Sequence, residues 1–285
     1  MVELSIVLVI LGLLTGGILT GQSLIKASEL RSVSVDFQKH TAAIQTFRDK
    51  YMALPGDMPN AVRFWGRHPA TGQDRCTIEW NVAESNAWNS DIARRETCNG
   101  NGDGIYGDWT RTEQMIAWQH LSNAGLVEGQ YKGGRTNGSG MAVQVPGVHI
   151  PASKLSHVSD STGIFGGPTA MVFAINPNIT GGGPLGIEYT PRTNIEAGQD
   201  GTQRTLVFGG LIGPSTHAYV SLGMLPEHAW NIDTKMDDGR PSAGRLIAPT
   251  IVAGQPRCVT NATEANEYNL ANTRGDCHLI LRNAF

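Results

Sequence analysis

The side chains best suited to chemistry lie in two short acidic loops and at the N-terminus. Asn99-Gly100-Asn101-Gly102-Asp103 sets oxygen-bearing side chains at alternate positions, and Asp108 follows five residues later. Hard cations need several oxygens gathered in a tight turn, and this pattern matches the first half of an EF-hand-type calcium loop. The carboxylate expected at the twelfth position is replaced by Thr110, so Asp108 or Glu113 would have to substitute. The other reading is an Asn- and Gly-rich turn tied down by Cys98. Asp233, Asp237 and Asp238 form the second cluster, with Lys235, Gly239 and Arg240 interspersed. Three carboxylates so close repel one another unless paired. Calcium or a salt bridge to Lys235 or Arg240 would meet that need. The third feature is Glu3, an acid at the edge of an apolar run.

Catalytic chemistry is not indicated. The eight histidines show no H-E-x-x-H or comparable zinc spacing, and neither a G-x-S-x-G elbow nor a phosphate-binding P-loop occurs. We therefore expect no enzyme. The net charge of −3 over 285 residues gives no electrostatic argument for nucleic acid. The four cysteines are even in number, which in an exported chain reads as two disulfides. Three pairings are open. Cys76–Cys98 and Cys258–Cys277 are favoured because each closes a short loop.

These groups must be carried by larger elements. From Leu4 to Ile25 there are 22 positions without a charged side chain, bounded by Glu3 and Lys26. About 20 apolar residues suffice to cross a bilayer as a helix. An acid at the end of such a span is costly and tends to have a partner. Beyond Lys26 the pattern changes. Leu30, Val33, Phe37, Ile44, Phe47 and Tyr51 recur at helical steps, with Thr41 between, while Glu29, Arg31, Asp36, Lys39, Arg48 and Lys50 fill the other side. The spacing predicts one helix over residues 1–52, about 78 Å long at a rise of about 1.5 Å per residue. Residues 1–25 would form a membrane or filament core and 26–53 an amphipathic half lying on a head of residues 54–285. Leu54-Pro55-Gly56-Asp57 ends the helix.

In the head, helices are predicted over 112–126 and 226–232, and strands over 169–175, 205–208, 218–222 and 277–281. Helix first and strands later predicts an α+β fold. The head is also loop-rich, with 35 glycines and 14 prolines in the chain. Gly12, Gly16, Gly17 and Gly21 interrupt the apolar run. They read either as close-packing sites in lipid or as a place where the helix can melt.

The stretch Met1-Val2-Glu3-Leu4-Ser5-Ile6-Val7, with the apolar residues that follow, resembles the start of a type IV pilin or a type II secretion pseudopilin. The likeness is strongest over residues 1 to 57. It implies a pilin-like fold: a long N-terminal helix packed on an antiparallel-sheet head with extended loops. In that family the glutamate is the fifth mature residue; here it is Glu3. Met1 would then be the third mature position, with two residues expected before it. The resemblance implies a subunit-assembly surface including Glu3, Leu4, Val7, Leu11 and Leu14. Glu3 would pair with a neighbour's N-terminal amine. It further implies residence in the inner membrane, processing by a prepilin peptidase, and lifting by a pilus or secretion assembly machinery into an extracellular helical homopolymer. Large pilin-like proteins often carry a stretch like Asp233–Gly239, and several pseudopilins bind calcium late in the head. Alternatives are a minor pseudopilin of a type II secretion system, or a membrane-anchored surface binding protein that never polymerises.

Overall fold

The structure, a computed structural model, describes residues 2–67, 74, 95–104, 112–133, 135–136, 142–143, 146–156, 158, 168–175, 205–212, 220–221, 223–248, 258–260 and 267–285. Its dominant element is α1, a single helix over Val2–Tyr51. The helix runs unbroken through Gly12, Gly16, Gly17 and Gly21, and no described residue packs where a side chain at any of them would project. It ends where Met52 takes a positive φ of 53° and Pro55 follows.

The head supplies α2 (Ala61–Trp65), α3 (Thr112–Asn123) and α4 (Pro226–Met236). Two short strands, β1 (Arg135–Thr136) and β2 (Ala142–Val143), form a ribbon. Among the described residues the main sheet has five antiparallel strands. It runs β3 (Pro168–Ile175), β4 (Leu206–Ile212), β7 (Leu279–Leu281), β6 (Leu246–Ile247), and β5 (Val220–Ser221) also pairs with β4. The architecture is thus α+β, with a long N-terminal helix on an antiparallel sheet. The predicted strand at 169–175 is observed over Pro168–Ile175, and the predicted helix at 226–232 extends to Met236.

The sheet's period of two decides what meets α1. Leu206 and Phe208 of β4, Leu246 of β6, and Leu279 and Leu281 of β7 join one core with Leu30, Val33, Phe37, Ile44 and Phe47 of α1. Val207, Ile247 and Ile280 alternate with them and form a small buried row of their own. That row follows from register: Val207 pairs with Ile280 and Ile280 with Ile247. At the centre Phe37 meets Phe173 edge-on at 5.0 Å and Phe208 at 6.0 Å. Such edge-to-face pairs add about 0.5–1.5 kcal/mol each beyond burial. Trp118 of α3 is fully buried beside His40 of α1. The second half of α1 is therefore an integral part of the head's core.

Cys258 and Cys277 form a disulfide with their Cα atoms 5.0 Å apart, the favoured pairing. It ties Cys258 to a residue two positions before β7, where Cys277 bridges Met224. Cys98 is also disulfide-bonded. Cys76, its expected partner, lies outside the described residues.

Candidate functional site

The assembly residues expected from the sequence all sit on the N-terminal half of α1. Leu4, Val7, Leu11 and Leu14 are 70, 54, 52 and 57 % exposed, and Glu3 is exposed in the first turn. A helix N-terminus carries partial positive charge, so an acid is well placed there. The hydroxyls within this half are folded back on the helix. Thr15 donates to the carbonyl of Leu11 at 2.9 Å, Thr20 to that of Gly16 at 2.9 Å, and Ser23 to that of Thr20 at 2.8 Å. Satisfying polar groups within the helix is what an apolar surrounding demands. This segment is long and apolar enough to cross a membrane. Exposed side chains of this kind over more than a few hundred Å² mark an interaction surface in a soluble protein.

The first acidic loop is built around a residue that local spacing did not single out. Asp57 is buried. Its two carboxylate oxygens accept the N–H groups of Gly102 at 2.6 Å and Gly104 at 2.8 Å. Glu113, at the start of α3, accepts the N–H of Asn101 at 3.0 Å. Asp57, Asp103 and Glu113 each offer an oxygen, all within 4.8 Å of one another. Burial raises the Asp57 pKa above the usual carboxylate value, and the two N–H donors oppose it. The turn brings Asp57 there through Gly56, whose φ of 91° suits glycine and whose missing side chain lets the Glu113 backbone approach. Gly56 N–H also donates to His120 Nδ1 at 2.9 Å. The His120 ring is then protonated at Nε2, which faces Thr97 Oγ1 at 3.0 Å. Burial holds its pKa down at about 3, so it stays neutral.

Two of the expected ligands have their side-chain oxygens engaged by backbone N–H groups in this geometry. Asn99 does not face the carboxylates: its side-chain oxygen accepts the N–H of Val62 at 2.9 Å, serving the first turn of α2. Asn101 spends its oxygen on the N–H of Asp103 at 2.9 Å and donates its amide to the Asp103 carboxylate at 2.7 Å. Asp108 lies outside the described residues. The loop is thus an Asx turn folded over a buried carboxylate from a distant segment.

The second cluster ends α4. Asp233 is fully buried; its oxygens accept the Tyr268 hydroxyl at 2.8 Å and the Gly239 N–H at 3.3 Å. Asp237 accepts the N–H groups of Arg245 and of Leu246, the latter at 3.0 Å, and Asp238 accepts that of Arg240 at 2.8 Å. Burial pushes the Asp233 pKa up to about 7. The Tyr268 and Gly239 bonds oppose the shift, and the Asp238 and Asp237 charges add to it. The expected salt bridge to Lys235 or Arg240 is not made. Ion pairs seen among the described residues include Lys26–Glu29 and Arg67–Asp74. Backbone donors take the role because the chain from Gly239 to Leu246 curls back over the helix end. Both clusters have the oxygen chemistry a hard cation uses. Both turns are also completed by N–H and O–H donors, so nothing in the geometry requires calcium to close them.

Comparison of the chain with protein-family models, with curated proteins and with solved structures finds no match.

Proposed function

We propose that this chain is a structural subunit of a pilus-like extracellular filament, held in a membrane by the first half of α1 before assembly. The observation that carries this reading is the division of one unbroken 50-residue helix into an exposed apolar half and a half built into the head's core. The exposed half needs an apolar surrounding. A bilayer supplies one, and a bundle of identical helices supplies another. A rigid helix shared by both halves lets the same residues move from the first surrounding to the second without refolding the head.

Glu3 gives the reading its specificity. In a bundle of such helices an unpaired carboxylate in an apolar core would be strongly penalised. Pairing with a cation on the next subunit, by resemblance its N-terminal amine, would fix the register between neighbours. Gly12, Gly16, Gly17 and Gly21 leave the helix surface bare where close neighbours would pack.

The test is Glu3→Ala in the full chain. Sheared surface material, viewed by negative-stain microscopy, should show fibres for the parent and few or none for the variant. Membrane fractionation should show equal insertion of both. Normal fibres from Glu3→Ala would refute the pairing. A parent chain that inserts but forms no fibres under any expression condition would favour a membrane-anchored binding protein instead.

A further inference from the structure

The far end of α1 presents aromatic rings to solvent. Phe64 of α2 is 56 % exposed, although its side chain is large and apolar, and Tyr51, the last residue of α1, is partly buried. The two rings meet edge-on with centroids 5.3 Å apart. Both are held from below. Tyr51 lies 4.6 Å from Phe47 and 5.6 Å from Trp65, and Trp65 lies 5.2 Å from His120. Phe47, Trp65 and His120 are buried in the head. Phe64 therefore stands on a fixed base, and little side-chain freedom remains to be lost when a ligand lies on it.

Cations flank these rings. The Lys50 ammonium is 5.2 Å from the centre of the Tyr51 ring. Arg48 precedes Tyr51 by one helical turn, so the two are neighbours on the helix surface. Arg63 is exposed next to Phe64 on α2. None of the three makes an ion pair among the described residues. The acids at this end stand apart. Asp49 faces another side of α1 from Tyr51, Glu96 lies beside Gly66 past the end of α2, and Asp74 is paired with Arg67.

Position and chemistry narrow the partner. Tyr51 lies about 39 Å along the unbroken helix from Ile25, where the apolar run ends, at about 1.5 Å per residue. A membrane surface at the end of that run does not reach it. A stable protein partner needs an interface of about 1,000 Å² or more, with lysine depleted from its core. Two rings edged by three long charged side chains offer neither. A nucleic acid strand needs a basic track several nucleotides long, whereas the chain's net charge is −3. A sugar ring needs less. Its C–H face is flat, apolar and slightly positive, and it suits the negative face of one exposed aromatic ring. A polymer whose sugars carry carboxylates adds charge-assisted bonds to the ammonium and guanidinium groups beside that ring.

We propose that Phe64 and Tyr51, with Arg48, Lys50 and Arg63 beside them, form a binding platform for an acidic polysaccharide. One sugar ring lies on the exposed surface of Phe64, and carboxylates of that sugar and its neighbours meet the cations. The platform uses only the folded head, so it goes beyond the filament reading and does not depend on it.

The test uses the full chain in detergent micelles and fluorescein-labelled polygalacturonate, with binding read by fluorescence polarisation. Binding by the parent should weaken as salt is raised. Phe64→Leu keeps an apolar side chain but removes the ring. It should weaken binding about five- to tenfold, with unchanged helix content by circular dichroism. Lys50→Gln and Arg63→Gln should each weaken it about two- to fivefold and flatten the salt dependence. Unlabelled polyglutamate, which has the charge without the sugar, and dextran, which has the sugar without the charge, should both compete poorly. No binding by the parent, or binding that Phe64→Leu leaves unchanged, would overturn the platform. Equal competition by polyglutamate would reduce the contact to charge alone and overturn it too. A single-stranded oligonucleotide that binds more tightly than polygalacturonate, and is weakened by Phe64→Leu, would assign the rings to bases instead of sugars. Self-association of the parent that Phe64→Leu abolishes would assign them to a second copy, and either result would overturn the proposal. Absence of fibres by microscopy would sink the filament reading and leave this binding result standing.

Discussion

The two halves of α1 are made of similar residues on one continuous backbone, yet their fates are opposite. Leu4, Leu13 and Leu19 are about two-thirds exposed or more, at 70, 72 and 67 %, while Val33, Phe37, Ile44 and Phe47 are fully buried. The difference is in pattern rather than in hydrophobicity. From Leu4 to Ile25 the helix is apolar nearly all round, so it has no single face to give to a head. From Leu30 onward the apolar residues form a stripe, and the sheet covers it. The second half folds with its own chain, and the first half must find its partners outside it.

The largest effect that sharpens this contrast is expected from Phe37→Ala. It removes the side chain that meets both Phe173 and Phe208. A buried Phe→Ala change costs about 3–5 kcal/mol. Urea unfolding of the full chain in detergent micelles, followed by near-ultraviolet circular dichroism, should show that loss. A cost below about 1 kcal/mol would mean that the amphipathic half is not part of the head's core.

Next comes Asp57→Asn. The shape is kept, but one side-chain oxygen is replaced by an amide that cannot accept the Gly102 or Gly104 N–H. Bonds to a charged partner are worth about 1.5–3 kcal/mol, so a loss of about 1–3 kcal/mol is expected in the same unfolding assay. Calcium added with the parent, and then chelated, reads separately whether the carboxylates also hold an ion.

The Asp233→Asn variant should show an effect that depends on pH. Asp233 has a folded pKa of about 7 against an ordinary 3.8, so between these values the folded state binds a proton the unfolded state has lost. Stability contributed by this group is therefore present below about pH 4 and lost as pH rises through about 7. Asparagine is neutral throughout and can still accept from Tyr268. The stability difference, variant minus parent, should grow as pH rises from 4 to 8. A difference independent of pH would show that Asp233 is ionised in the folded protein.

The smallest effect is expected from Leu14→Ala. It lies in the exposed half at 57 % exposure, so head stability should change by no more than about 0.5 kcal/mol. A loss comparable with that of Phe37→Ala would break the comparison, because it would place Leu14 inside the head's own core.

Much of the frame was legible in the chain. The helical spacing named Leu30, Val33, Phe37, Ile44 and Phe47, which are buried, and Tyr51, which is partly so, because a packed helix face repeats every three or four positions. The run Thr169–Ile175 read as a strand because its apolar residues are short, continuous and β-favouring, and Pro226 marked the start of α4. The acidic loops were legible only in part. Asn99 and Asn101 have the right atoms at the right spacing for a cation, but spacing does not show which way a side-chain oxygen turns. Asp57 was hidden because its partners, Gly102 and Gly104, lie more than 40 residues away along the chain. Tyr268 was hidden from Asp233 for the same reason.

By itself the sequence determined that one long helix carries two kinds of surface, that an acid stands at its start, and that the head is α+β. Those properties follow from periodicity and composition, which are local. Tertiary structure alone decided that Phe37 is the contact between helix and sheet, that Asp57 is the centre of the 99–104 turn, and that Tyr268 meets Asp233. These depend on which distant segments come together, and that is set by packing one face of each element against another.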